Sequence, residues 1–479
     1  MKMHLTILTI FSIVIAALHT SSAQTQIGET IEGLEIGDGF GYSVSLSSDG
    51  TRLAIGMPYI DPEPIGGFEG MVQVFDLIDG NWEKAGPDII CPDCGEGNRE
   101  FGSSVSLSSD GNRLAIGNNT EPGYSVVIVL EWNGTGWDEL GRFDGFENAY
   151  GYGSSISASS DCIRIAAATS GHGADVNELM LTNEVPFEIY SRIGQKLDRP
   201  EFNDYGRSVS ISADGSRVAV GGEDVYGLGQ VDVYDYDENG MWVQVGGFTA
   251  DNQDDFTGIA GTISLSADGN RLAVGSPGFG DHIDSQRIKV YEWDGASWNQ
   301  LGSTILGDAF GSPVSLSPDG KRLATTAIRD EVSTQVQVFE WNGESWAPFG
   351  NNISGGRDYE YFGGSLSFSA DGNRLAIGAF SEEGGPAGRV LVYDFTTISA
   401  IQEAPVENEF KVFPNPTSGQ VELTGADSGQ ACVMDVIGQT LFCSNVAQST
   451  IDLTCLPGGV YFIQAYSGGK LVTRKVVKE

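Results

Sequence analysis

The feature that most constrains this chain is a short phrase that occurs seven times. Ser47-Ser48-Asp49-Gly50-Thr51-Arg52-Leu53-Ala54-Ile55-Gly56 is its first instance, and the aspartate recurs as Asp110, Asp161, Asp214, Asp268, Asp319 and Asp371. An arginine follows three residues later each time, at Arg52, Arg113, Arg164, Arg217, Arg271, Arg322 and Arg374. Successive aspartates stand 51 to 61 residues apart, so one unit of that length is stacked against copies of itself. Two strands are written into each phrase. Ser43-Val44-Ser45-Leu46-Ser47 alternates small polar with apolar residues, Asp-Gly makes a tight turn in which glycine accepts positive φ, and Arg52-Leu53-Ala54-Ile55-Gly56 alternates back.

Third strands such as Met71-Val72-Gln73-Val74-Phe75 and fourth strands such as Trp298-Asn299-Gln300-Leu301-Gly302 complete an antiparallel unit. An aromatic-Gly pair opens most copies, at Phe40-Gly41, Phe101-Gly102, Tyr152-Gly153, Tyr205-Gly206, Phe310-Gly311 and Phe362-Gly363; the fifth copy has Ile259-Ala260 instead. In the third copy Cys162 replaces the turn glycine, and its outer hairpin lacks tryptophan. Four strands per period predict an all-β fold, a seven-bladed β-propeller over residues 24–395. The 66 glycines suit such a turn-rich fold. The seventh copy ends without a Trp-bearing fourth strand, whereas Gln26-Ile27-Gly28-Glu29-Thr30-Ile31 resembles Gln300 to Ile305, so the N-terminal strand is expected to close the ring. The eight tryptophans all fall in outer hairpins, where cross-strand pairs such as Trp132 with Trp137 stabilise the turn. The Asp-to-Arg spacing of the phrase suggests an ion pair across its hairpin.

Residues 1–23 read as a secretory signal: Lys2, an apolar run from Leu5 to Leu18, and small residues before cleavage between Ala23 and Gln24. No later stretch is apolar and long enough to span a bilayer as a helix. Residues 396–409 read as a linker, and 410–479 as a small antiparallel β-sandwich. The formal charge of -39 repels phosphate backbones and anionic membranes, which sets nucleic acid aside. Six cysteines in an exported chain permit disulfides; Cys91 and Cys94 are close enough to staple a loop, while Cys162, Cys432, Cys443 and Cys455 stay unassigned.

Two families are resembled. The aromatic-Gly starts, with Gly56-Met57-Pro58 and Gly275-Ser276-Pro277, resemble the FG-GAP repeats of integrin alpha-subunit propellers, and Ser317 to Ala324 resembles the turn of TolB-type propellers. The FG-GAP resemblance implies calcium loops, yet Ser-x-Asp-Gly-x-Arg is too short and too poor in carboxylates to wrap that cation. Calcium, the one cofactor candidate, is left with the Asp235, Asp237 and Asn239 turn or with nothing. Val412 to Gly419, Asp435 to Gln439, Leu456 to Tyr461 and the strand from Lys470 to Lys478 resemble the type IX secretion sorting domain of Bacteroidetes. That resemblance implies export through the type IX translocon and sorting machinery, to the cell surface or the medium.

Chemistry is sparse. His172 and His282 lie in loops with no Gly-x-Ser-x-Gly elbow or metal-binding His pair, so they read as solvated. The loops joining second to third strands, and those entering the next unit, are acidic and share one face; Glu69, Glu223, Asp224, Tyr226, Asp281, Asp284, Asp330 and Glu382 mark it. A non-enzymatic binding or adhesion module follows, with a glycan or extracellular protein as ligand. A polysaccharide hydrolase or lyase using loop carboxylates is the alternative, and a surface-layer component without a discrete site is the third reading.

Overall fold

The structure is a computed structural model that describes residues 24–478 apart from segments 61–68, 92–99, 120–124, 145–150, 170–172, 181–188, 200–204, 224–228, 250–262, 277–286, 308–312, 331–332, 358–359, 382–384, 397–410, 414–415, 425–429, 435–439, 446–449 and 468–469. Every element among the described residues is a strand, and no helix there is long and apolar enough to cross a membrane. The chain divides into two compact units, Met1–Thr397 and Ile398–Glu479.

In the first unit the alternating strands fold back on their neighbours into seven antiparallel sheets among the described residues. The first sheet runs Ser43–Leu46, Arg52–Met57, Met71–Ile78, Asn81–Lys84 in sequence order, with Val44 opposite Ile55 and Leu46 opposite Leu53. The five that follow start at Phe101–Leu107, Ile156–Ala158, Ser208–Ile211, Ile263–Leu265 and Val314–Leu316. The last, of Tyr361–Phe368, Arg374–Phe380 and Ala387–Asp394, takes its outer edge from the other end of the unit. Thr25 stands opposite Asp394, Gln26 opposite Tyr393 and Ile31 opposite Val390. This edge copies the fifth sheet bond for bond. Gln26 Nε2 donates to the Gly28 carbonyl and Thr30 Oγ1 at 3.3 and 3.2 Å, as Gln300 does to Gly302 and Thr304 at 3.1 and 3.3 Å.

The apolar cores lie between adjacent sheets. Leu53, Ile55 and Met57 of the first pack with Val390 and Val392 of the last, while Val72 and Val74 pack with Phe101, Val105 and Leu114 of the second. The aromatic of the repeated pair fills this space, being 0 to 2% exposed at Phe40, Phe101, Tyr152, Tyr205 and Phe362. The glycine that ends the repeated phrase lets two backbones meet: a Cβ on Gly56 would lie 2.0 Å from the carbonyl oxygen of Gly102, the glycine of the next pair.

Two circuits of hydrogen bonds stitch the inner strands together. Backbone N–H groups of Ser48, Ser109, Ser160, Ala213 and Ala267 each donate to the equivalent carbonyl of the next sheet, and Ala370 donates back to Ser48, all at 2.7 to 2.9 Å. The link from the sixth sheet to Ala370 is missing because the donor position is Pro318, which has no N–H. Serine hydroxyls form the second circuit: Ser45 Oγ accepts from Leu107 N–H at 2.9 Å, Ser210 from Leu265 at 2.9 Å, and Ser367 from Leu46 at 3.0 Å.

The second unit holds a three-stranded sheet of Lys411–Phe413, Gln420–Thr424 and Thr450–Asp452, and a four-stranded sheet ordered Thr440–Asn445, Gln430–Met434, Gly459–Ser467, Lys470–Lys478. Its core includes Val421, Leu423, Val433, Ile451, Ile463 and Val476. Cys432 and Cys443, opposite each other on adjacent strands, form a disulfide, and Cys455 is a free, exposed thiol.

Candidate functional site

Antiparallel order divides each sheet of the first unit into two ends. At one end lie the Asp-Gly turns and the outer hairpins; at the other lie the connections from second to third strand and from one sheet to the next.

At the turn end the repeated side chains are consumed by the fold. The phrase's serine is 0 to 2% exposed in all seven copies. In the first, Ser47 Oγ donates to Asp49 at 2.7 Å and accepts from Arg52 N–H at 2.9 Å, and Asp49 also accepts from the Thr51 N–H and hydroxyl at 3.0 and 2.8 Å. Burial pushes the Asp49 carboxyl up, but these bonds outweigh it and hold it below the ordinary carboxylate range; Asp110, Asp214, Asp268 and Asp371 behave alike.

The arginine does not pair with the turn aspartate, contrary to the expectation from spacing. Its partner is an acid on the third strand: Asp76 for Arg52, Glu131 for Arg113, Glu178 for Arg164, Asp235 for Arg217, Glu292 for Arg271, Glu340 for Arg322 and Asp394 for Arg374. The reason is geometric, since those acids stand directly opposite the arginines in strand register. The remaining guanidinium N–H reaches the turn of the next sheet. Arg52 donates to the Gly111 carbonyl at 3.0 Å, Arg164 to Gly215 at 3.1 Å, Arg217 to Gly269 at 2.9 Å, Arg271 to Gly320 at 2.9 Å, Arg322 to Gly372 at 2.8 Å and Arg374 to Gly50 at 3.0 Å. Arg113 donates to the Asp161 carbonyl at 3.1 Å instead, beside Cys162, which takes a φ of 53° at the glycine's place. Cys162 is buried, and burial pushes its thiol far up.

Among the described residues, tryptophans of the next outer hairpin cover two of these arginines. The Arg52 guanidinium lies 5.0 Å from the Trp132 ring and that of Arg217 5.0 Å from Trp293, while Trp132 and Trp137 pair at 5.3 Å. A cleft of about 580 Å³ opens beside Arg113, lined also by Asp110, Glu131 and Asp161. The third sheet, which follows it, has no tryptophan.

The cation candidate falls in this machinery. Arg217 holds both Asp235 oxygens, at 2.5 and 2.8 Å. Asp237 accepts from Asn239 N–H and Nδ2 and from Met241 N–H at 2.9 to 3.0 Å. No group of three acidic, His or Cys side chains that could hold a metal ion occurs among the described residues.

At the loop end the departures from the repeat gather. Glu69 is half-buried there, and Glu223 and Asp330 end their second strands. Asp224, Tyr226, Asp281, Asp284 and Glu382 lie outside the described residues, as do His172, His282, Cys94 and Ala23. Cys91 is disulfide-bonded. Gln24 is placed, its side-chain amide exchanging two bonds with the Asn351 backbone at 2.6 and 2.9 Å.

Tyr59, which lies in one of the acidic loops, is joined at this end by three rings that no sequence pattern marks. Tyr361, Phe380, Tyr42 and Tyr59 form a chain of rings with successive centroids 5.1, 4.9 and 5.5 Å apart. Tyr42 and Phe380 also line a channel mouth of about 350 Å³ to which all seven sheets contribute. Glu100 has a φ of 49°, where the equivalent Gly39 and Gly151 have 71° and 64°. Burial pushes its carboxyl up against a 3.0 Å bond from Asn119 Nδ2. Two ion pairs brace this architecture. Arg199 holds buried Asp232 at 2.8 and 2.9 Å, and Arg389 holds buried Glu360 at 3.0 and 2.6 Å. The strand residue is the acid in the first pair and the base in the second.

Sheets that wrap an axis through interlocking inner strands define the first unit as a β-propeller. Solved structures agree: the β-propeller domain of Myceliophteria thermophila Cps50 (Swd1) is 14% identical over 77% of this chain and 99% of that one, with a TM-score of 0.50. A chain of the mitotic checkpoint complex is 14% identical over 82% of this chain and 98% of its own length, also at 0.50. At such identity the likeness is one of fold. Residues 411–479 match the family of secretion system C-terminal sorting domains. The chain therefore carries a type IX sorting tail, which marks it for interaction with that secretion machinery and for export to the cell surface or the medium. No curated protein matches the chain.

Proposed function

We propose that this chain is a non-enzymatic binding or adhesion protein built on an FG-GAP-like, seven-bladed propeller. In this reading residues 24–395 are the propeller, closed by the N-terminal strand; 396–409 link it to the sorting domain at 410–479. The signal at 1–23 is removed between Ala23 and Gln24, and Cys91 with Cys94 staples a loop. The ligand, a glycan or an extracellular protein, sits on the loop end around Glu69, Glu223, Asp224, Tyr226, Asp281, Asp284, Asp330 and Glu382. A calcium ion at Asp235, Asp237 and Asn239 would have to displace Arg217, so the reading does not use one.

The observation that carries this reading is the unequal use of the two ends. All seven phrase arginines at the turn end are committed to neighbouring acids and carbonyls, whereas aromatics that break the repeat line the mouth at the loop end. The rival hydrolase or lyase reading draws on Glu100 and Asp175, whose carboxyls burial pushes above the ordinary range. Incubating the full exported chain with a panel of algal and bacterial polysaccharides separates the two. Retention without new reducing ends is expected; their release would overturn the non-enzymatic reading.

A further inference from the structure

We infer that the ring chain at the channel mouth is a subsite for a neutral sugar ring, an inference that rests on the loop end being the binding end. Two aromatics of the mouth's lining, Tyr42 and Phe380, are extended by two more from the same copies: Tyr361 stacks on Phe380 at an interplanar angle of 21°, Tyr42 tilts against Phe380 at 53°, and Tyr59 meets Tyr42 edge-on at 79°. The core does not account for them. The buried aromatics of these copies are Phe362 and Phe40, at 1 and 0% exposure, while Tyr361 next door is 49% exposed.

The repeat shows that two of the four are specific to this seam. The position of Tyr361, one before the aromatic-Gly pair, is Gly39, Glu100 and Gly151 in other copies, and that of Tyr42, one after the pair, is Ser103, Ser154, Arg207 and Gly364. Stacking the sheets alone therefore requires no ring at either position. Both copies place one, and the two contact the same Phe380.

The chemistry of the mouth selects the ligand class. Its described lining has no charged side chain and six serines, among them Ser43, Ser104, Ser154 and Ser365. The hydroxyl protons of Ser43, Ser104 and Ser365 go to the carbonyls of Gly102, Gly153 and Gly41, at 2.7, 2.6 and 2.8 Å. Those oxygens keep only acceptor capacity, which matches a ligand rich in hydroxyl donors. A pyranose supplies such donors at its rim and an apolar C–H face to lie on an aromatic ring. The net charge of -39 disfavours uronic or sulfated sugars. At about 350 Å³ the mouth is small for a ligand pocket, a size that suits the end of a glycan chain rather than a long internal stretch.

The test is calorimetric titration of the full exported chain with cellohexaose, laminarihexaose and mannohexaose, with hexagalacturonate as the charged control. At least one neutral hexasaccharide should bind. Tyr361→Ala and Phe380→Ala should each weaken it about tenfold, the loss of one stacking contact. Tyr361→Phe, which keeps the ring, should retain the affinity. Because Tyr361 is half exposed, an unchanged unfolding midpoint of Tyr361→Ala separates lost binding from lost folding. Undiminished neutral-sugar binding by both alanine variants overturns the subsite, as does binding of hexagalacturonate alone or of none of the four. The loop-end reading fails separately, when binding survives those variants and is lost on Trp293→Ala at the opposite end.

Discussion

Replacing Arg217 with methionine should cost the fold about 3–5 kcal/mol, about twice the cost of the same change at Arg374. The Arg217 side chain is 11% exposed and gives two bonds to Asp235, one to the Gly269 carbonyl at 2.9 Å, and a face to the Trp293 ring. Methionine restores the aliphatic stem but leaves the Asp235 carboxylate and that carbonyl without their donor. A hydrogen bond to a charged group contributes about 1.5–3 kcal/mol and an arginine over an indole about 0.5–1 kcal/mol. Solvent at the one-third-exposed Asp235 trims the total. Arg374 is 26% exposed, stands 3.8 Å from Asp394, and keeps mainly its bonds to the Gly50 and Asp49 carbonyls at 3.0 and 3.3 Å, worth about 1.5–2 kcal/mol after solvent screening. Guanidinium unfolding followed by circular dichroism measures both losses, and a double-mutant cycle of Arg217→Met with Asp235→Asn isolates the pair. A loss at Arg217 under about 1 kcal/mol would refute the claim that these arginines join the sheets, and equal losses would refute the ranking by burial.

Deleting residues 24–32 removes the outer edge of the last sheet, the buried Ile31 and the carbonyl of Ile27 that accepts from Trp82 Nε1 at 3.1 Å. The loss should be about 4 kcal/mol or more, and an unchanged melting temperature would contradict closure by this strand. Acid should weaken the propeller below about pH 4. The carboxyls of Asp49, Asp110, Asp214, Asp268 and Asp371 lie below their unfolded values, so their stabilisation is complete above the unfolded value and is lost as pH falls through the folded one. Urea midpoints between pH 3 and 6 should show this, with a shallower fall in Asp268→Asn. Glu100→Gly should raise stability by up to about 1 kcal/mol, because glycine takes the left-handed φ without a Cβ penalty; a lower urea midpoint would count against strain at Glu100.

The repeat made the strands, the turn chemistry and the sorting tail legible, because each depends on local alternation or on residues close in sequence. Spacing could not say where Arg52 points. Its partner Asp76 is a strand away and its carbonyl, Gly111, belongs to the next sheet, so only the stacking of sheets decides between them and Asp49. The match between Gln26 and Gln300 was visible as a pattern; the shared bonds to a glycine carbonyl and a threonine hydroxyl give its physical basis. The ring chain was hidden for the opposite reason. Tyr42 and Phe380 are 338 positions apart and become neighbours only where the first and last sheets meet. Of its members only Tyr59 sat in a loop already singled out by its acids.

The claim that the loop end binds ligand is tested most directly by hydrogen–deuterium exchange of the full exported chain, alone and with a polysaccharide it retains. Protection should appear in peptides covering 39–46, 52–60 and 361–380, around the channel mouth, and not in the outer hairpins at 132–137, 293–298 and 341–346. Protection confined to those hairpins would move the site to the turn end and contradict the account.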